Sequence, residues 1–400
     1  MLTLSAEWQE IRPGSMNAPE SRPTAHLPRV DVLRAVAILL VFTHHYWLDV
    51  LELTGEKWDF QPWNGILLVP GRLGFLGVKL FFVISGFCIH LSWLNWRKGA
   101  GLEGAGVRAF LPVYLWRRFW RIYPPYLLAL LVFFLMQYSE PLKGESLRHL
   151  SVHALMLQNL SKQFFENINP SFWSLGAEWQ LYLVYPLALV VAVRWRMEAA
   201  FALTAAVALG MRAASFKWGD NYFILHSPFS HWLEWMIGAL VADRFAAGTR
   251  VFHWHSLLVP ALIVLTVAVH LKDGFVFSIA RYLVPTLTFA ALLEWCIEGA
   301  RPLARAERAL IPLGLCSYSF YLLHEPAIPW TLRSLGPWFL TAPAAVVWLF
   351  VPAAMFAVTY AVSRFYYRWV EGGSIEFGRR LWASRVGSKK GHERSPMPLS

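Results

Sequence analysis

The chain has 400 residues, of which 56% are hydrophobic and 15% charged, and it carries a net charge of +11. That balance lies outside the range of an ordinary soluble globular domain and makes a lipid bilayer the expected surroundings of most side chains. The positive excess follows loop position, as shown below, so it calls for no nucleic-acid partner.

A helix crossing a hydrocarbon layer of ~30 Å needs about 20 predominantly apolar residues. Stretches of that kind are read at 31–51, 73–93, 122–138, 173–193, 197–213, 229–245, 255–271, 278–297, 309–329 and 342–367. The expected fold is therefore an all-α integral membrane protein of about ten spans, with both termini on one side. Lys and Arg fix which side. Segments on the terminal side hold 24 of the 36 basic residues and the opposite loops nine, while Arg34, Lys79 and Arg281 fall inside spans. Cytoplasmic loops attract Lys and Arg, which places both termini in the cytoplasm. Residues 1–28 have no signal-peptide pattern and read as a flexible cytoplasmic leader. Residues 29–372 form the membrane domain, and 373–400 read as a basic, solvated or lipid-touching tail.

Cys88, Cys296 and Cys316 sit in apolar segments without CxxC or Cys/His spacing, so packing is their expected role and no disulfide or metal site is expected. Function is sought instead among ionisable residues at membrane depth, which cost a few kcal/mol each to insert and so tend to face the bundle interior. The first span carries Asp31 and Arg34 near its inner end and His44 and His45 toward the other. At about 1.5 Å per residue, Arg34 and His44 lie about 15 Å apart along the axis. Helical geometry puts His45, eleven residues on, more nearly in line with Arg34 than His44 is. Capping by Asp31 and snorkelling by Arg34 is the structural alternative for this span.

Arg118 and Arg121 share one helical face at the inner entrance of the third span, suited to bidentate contacts with phosphate. Glu178 lies about one and a half turns below the outer surface, at a depth comparable to His44. His231 and Glu234 on the sixth span and His324 and Glu325 on the ninth reach the same layer.

Six stretches in order resemble the acyltransferase-3 family of membrane-bound O-acyltransferases, which modify bacterial surface and exported glycans. They are Asp31 to Arg34 with His44, Gly77 to Phe87, Arg118 to Pro124, Phe172 to Glu178 with Tyr182, Cys316 to Pro326, and Tyr367 to Glu371. Lys79 departs from the family, standing where an acidic residue is common, and Gly372 replaces a proline. The resemblance selects His44 over His45 as the essential histidine and assigns Arg118 and Arg121 to the acyl donor.

It implies an enzyme of the bacterial inner (cytoplasmic) membrane with no bound cofactor. Acyl-CoA, with acetyl the expected group, would be held by Arg34, Arg118 and Arg121. His44 would act as general base on a hydroxyl of a glycan or glycoside acceptor at the outer side, with Glu178 fixing the histidine's tautomer. Ser85 and Tyr318 are candidate oxyanion donors, and Asp31, His324 and Glu371 supporting residues. The rival reading is a proton-coupled transporter or flippase, which also needs intramembrane Arg, His and Glu. Paired halves with Gly/Pro-interrupted spans, expected of many carriers, are not found.

Overall fold

In the computed structural model, residues 27–54, 69–99, 106–218, 221–271, 275–298, 302–343 and 346–392 are described. Most of the expected leader and the last eight residues of the expected tail lie outside them. Among the described residues every regular element is helical: α1 (Pro28–Thr54), α2 (Val69–Leu73), α3 (Leu76–Gly99), α4 (Val107–Gln137), α5 (Gly144–Ala154), α6 (Lys162–Phe165), α7 (Phe172–Arg194), α8 (Met197–Trp218), α9 (Tyr222–His226), α10 (Trp232–Ala246), α11 (His255–His270), α12 (Phe275–Ile297), α13 (Arg305–Leu315) and α14 (Ser317–Thr341). A π turn (Val346–Phe350) then leads into α15 (Val351–Tyr366), a second π turn (Tyr367–Glu371) and α16 (Gly372–His392). Helices dominate because a chain in lipid must satisfy its backbone polar groups internally.

Seven helical segments among the described residues are long and apolar enough to span a bilayer, within α1, α3, α4, α7, α8, α12 and the continuous run Val346–Arg385. The chain is a multi-pass membrane protein. The other three expected spans are present in different form. The stretch 229–245 is a 3-10 turn (Pro228–His231) followed by α10, only 15 residues long and buried at every position from Trp232 to Ala242. The stretch 255–271 is α11, of 16 residues. The stretch 309–329 is broken at Cys316 into α13 and α14, and α14 bends again at Gly336, whose φ is 51°.

Two further boundaries differ from expectation. α4 starts fifteen residues before 122 and runs for 31 residues, so Arg118 and Arg121 lie well inside a helix rather than at its entrance. At the other end, helix continues into the expected tail: the Trp116 indole donates to the Gly378 carbonyl at 2.8 Å, and Ser374 donates to the Trp120 carbonyl. Glu376 pairs with Arg379 and Arg380, so these basic residues are partnered within α16.

The centre of the bundle is the α3–α10 contact. It is unusually close because each helix offers a glycine to the other's backbone. A Cβ on Gly86 would collide with the Trp235 carbonyl, and one on Gly238 with the Val83 carbonyl. Small residues permit such approach where lipid supplies no hydrophobic drive between helices. Gly314 of α13 meets the Asp31 carbonyl in the same way, setting α13 against the N-terminal end of α1.

Candidate active site

A cavity of about 120 Å³ opens between α1, α3, α4, α7 and α14. Its lining includes Arg34, Ser85, Cys88, Arg118, Arg121, Glu178, Tyr182, Tyr318 and Tyr321. Three arginines from two helices thus line one space. Arg34 is fixed by Asp31, whose Oδ1 accepts from it at 2.8 Å, and also donates to Cys88 Sγ at 3.3 Å. Asp31 itself is 2% exposed. Arg118 lies with its guanidinium carbon 5.8 Å from the Tyr182 ring centroid, and its buried Nε has no hydrogen-bond partner among the described residues. That N–H is available to an acceptor entering the cavity. Glu371, buried at the second π turn, accepts from Ser319 at 2.7 Å and lies within electrostatic range of Arg121 and Arg34.

Glu178 is in this cavity and not beside His44. Its Oε1 accepts from Ser85 Oγ at 2.7 Å and from the Tyr182 hydroxyl at 2.6 Å, and those two hydroxyls are 3.1 Å apart. The expectation that Glu178 orients His44 is therefore corrected: spans of similar depth do not imply facing side chains. The oxyanion assignments change for a related reason. A carboxylate and a carbonyl can only accept, so the Ser85 hydroxyl donates its hydrogen bond to Glu178 and the Tyr318 hydroxyl donates to the Ile122 carbonyl at 2.7 Å.

The histidines form a separate group. His44, half-buried, has Nδ1 at 2.6 Å from the Gly71 carbonyl, and its ring packs near Trp47 and Phe75. Gly71 abuts the Trp47 ring so closely that a side chain there would collide with it, which helps bring the carbonyl to His44. His45 Nδ1 meets His324 Nε2 at 3.0 Å, and His324 Nδ1 meets the Tyr321 carbonyl at 2.9 Å. Tyr321 links this group to the cavity, because its hydroxyl bonds Ser174 at 2.6 Å and both residues line that space.

The expected single layer of carboxylates and imidazoles thus divides. Glu325 accepts from the Ser171 amide. Glu234 accepts from Lys79 at 2.7 Å and from Tyr282 at 2.8 Å, with His231 3.6 Å away. Lys79, the departure from the family pattern, therefore finds its counter-charge on α10. Sequence reasoning missed the Gly71 carbonyl, Cys88 and the His45–His324 contact. Only the last carried a signal, in the second histidine of the first span. Among the described residues, His255, Glu294 and Glu298 could hold a metal ion. None of them lines the cavity, and His255 already spans the two carboxylates, with Nε2 at 3.0 Å and Nδ1 at 3.4 Å from their oxygens.

Comparison with known proteins agrees with the family resemblance of the ordered motifs. No solved structure matches the chain. The peptidoglycan O-acetyltransferase OatA of Listeria monocytogenes is 27% identical over 204 residues, a match covering 47% of this chain and 28% of that protein. The chain thus spans little over a quarter of that relative. The acyltransferase MdmB of Streptomyces mycarofaciens is 27% identical over 337 residues, 78% of this chain and 81% of the relative. A family model described as an acyltransferase domain matches residues 27–364, and the chain belongs to this acyltransferase-3 family.

Proposed function

We propose that the protein moves an acyl group, acetyl in the simplest case, from cytoplasmic acyl-CoA to a hydroxyl of a glycan or glycoside at the outer side of the bacterial inner membrane. The observation that carries this reading is the cavity lined by Arg34, Arg118 and Arg121, with an Arg118 N–H that has no partner among the described residues. Guanidinium groups suit the phosphates of such a donor. Beyond the cavity, His44 serves as general base. The Gly71 carbonyl holds its proton on Nδ1, which leaves the Nε2 lone pair for the acceptor hydroxyl. The name of the Listeria relative supplies one acceptor class to test, peptidoglycan.

A deletion strain complemented with the wild-type gene or with His44→Ala provides the test. Mass spectrometry of its envelope glycans should show an ester of defined mass that disappears in the deletion and returns only with the wild type. An ester restored by a membrane-inserted His44→Ala protein would remove His44 as the base, and an unchanged ester profile in the deletion would remove the reaction.

A further inference from the structure

The hydrogen bonds of the histidine group determine three tautomers. A carbonyl only accepts, so His44 carries its proton on Nδ1 toward Gly71, and His324 carries its own on Nδ1 toward Tyr321. His324 Nε2 is then an acceptor, and only an N–H on His45 Nδ1 can fill the 3.0 Å contact between the rings. Both histidines of α1 consequently present a bare Nε2.

Their supports differ in one chemical respect. The carbonyl behind His44 cannot take up a proton, whereas the imidazole behind His45 can. His324 is 0% exposed, so the contact between the two rings ends on a buried imidazole that can share a proton placed on the pair. The surroundings differ as well. His44 packs near Trp47 and Phe75, while His45 leads through His324 to Tyr321, which lines the arginine cavity.

Resting on the acyl-transfer reading, we propose that the His45–His324 pair is the proton store of the reaction, in which His45 protonates the departing sulfur and His324 is its positioning residue. At the start the pair holds one proton beyond its two Nδ1–H groups, on His45 Nε2, and His44 is neutral. The acceptor oxygen attacks the thioester carbonyl carbon and gives its proton to His44 Nε2 as the C–O bond forms. The tetrahedral centre collapses, the C–S bond breaks with its electron pair on sulfur, and His45 Nε2–H protonates that sulfur. His44, whose ring centroid is 5.6 Å from that of His45, then passes its proton back to the pair. Alcohol and thioester become ester and thiol with no net proton gained or lost. Protonation of the sulfur matters at membrane depth, where a bare thiolate would be an unpaired buried charge.

The experiment uses membranes of a deletion strain carrying the full-length wild type or one of three variants, His324→Gln, His324→Ala and His45→Gln, supplied with radiolabelled acetyl-CoA. Label entering envelope glycan is normalised to the amount of inserted protein. Gln at 324 keeps an acceptor for His45 Nδ1–H but takes up no proton, so it separates positioning from proton storage. The expected result is turnover lower by on the order of 10²-fold in His324→Gln and His45→Gln, with unchanged KM for acetyl-CoA and a larger solvent deuterium isotope effect. Added imidazole should partly restore His324→Ala. Wild-type turnover in His324→Gln, or in His45→Gln should the 324 variants fail to insert, overturns the proton store and leaves acyl transfer standing. Label no higher with the wild type than in the deletion strain overturns the acyl-transfer reading itself.

Discussion

Truncating Arg34 should destabilise the protein before it affects chemistry. Arg34 and Asp31 are 2.8 Å apart, and their side chains are 21% and 3% exposed. At that distance two unit charges attract by about 6 kcal/mol with an effective dielectric of about 20. Desolvation offsets much of this, but removing one partner alone leaves a buried charge uncompensated, at a cost of about 3–5 kcal/mol. Arg34→Ala should therefore melt well below the wild type when detergent-solubilised protein is heated in steps and its monodisperse gel-filtration peak is followed. Arg34→Met combined with Asp31→Asn removes both charges at similar volume and should recover most of the lost stability. The double variant should still bind acyl-CoA poorly, because the guanidinium facing the cavity is gone. An Arg34→Ala protein that melts with the wild type, or a double variant no more stable than the single, would refute the claim that the pair acts as one buried unit.

Arg118→Ala and Arg121→Ala carry the complementary expectation. Neither makes a close ion pair among the described residues, so each should leave melting nearly unchanged. Loss of one charge-assisted hydrogen bond, about 1.5–3 kcal/mol, corresponds to a rise in KM for acyl-CoA of about 10- to 100-fold, read from initial rates at several donor concentrations. Gly86→Val and Gly238→Val should each cost about 1–3 kcal/mol or more through overpacking, seen as reduced yield and early melting. Gly210→Ala, whose added Cβ meets nothing within 4 Å, serves as the tolerated control.

Hydropathy and loop charge made the membrane class readable because bilayer thickness imposes a length on every crossing helix, and α1, α3 and α7 begin and end close to where that rule puts them. The rule fails where protein replaces lipid around a helix. α10 is short and wholly enclosed, so nothing requires it to span 30 Å by itself. α4 begins early because Arg117, Arg118 and Arg121 lower its local hydropathy while the helix continues through them. Within the site, the arginine cluster was legible because two of its members are three residues apart on one helix and the third lies beside Asp31. Pairings between distant segments were not. Lys79 and Glu234 are separated by 155 positions and His45 and His324 by 279, and no local period connects them.

The displacement of Glu178 from the histidines to the cavity alters the logic of the site. A carboxylate beside a histidine fixes the tautomer and also raises the basicity of the ring, and sequence reasoning assigned Glu178 that part. In the structure a backbone carbonyl fixes His44 and a second imidazole fixes His45. Neither support places a carboxylate against the ring it holds, so neither adds a buried negative charge of its own. Glu178 instead adds its charge to the guanidinium-lined space, where Ser85 and Tyr182 satisfy one oxygen and Arg118 lies over the Tyr182 ring. Glu178 thus joins the cations of the cavity, and the groups that hold the two α1 histidines in place are themselves neutral. Under the proposed two-sided acyl transfer, this separation assigns donor binding to the arginine cavity and proton handling to the histidines.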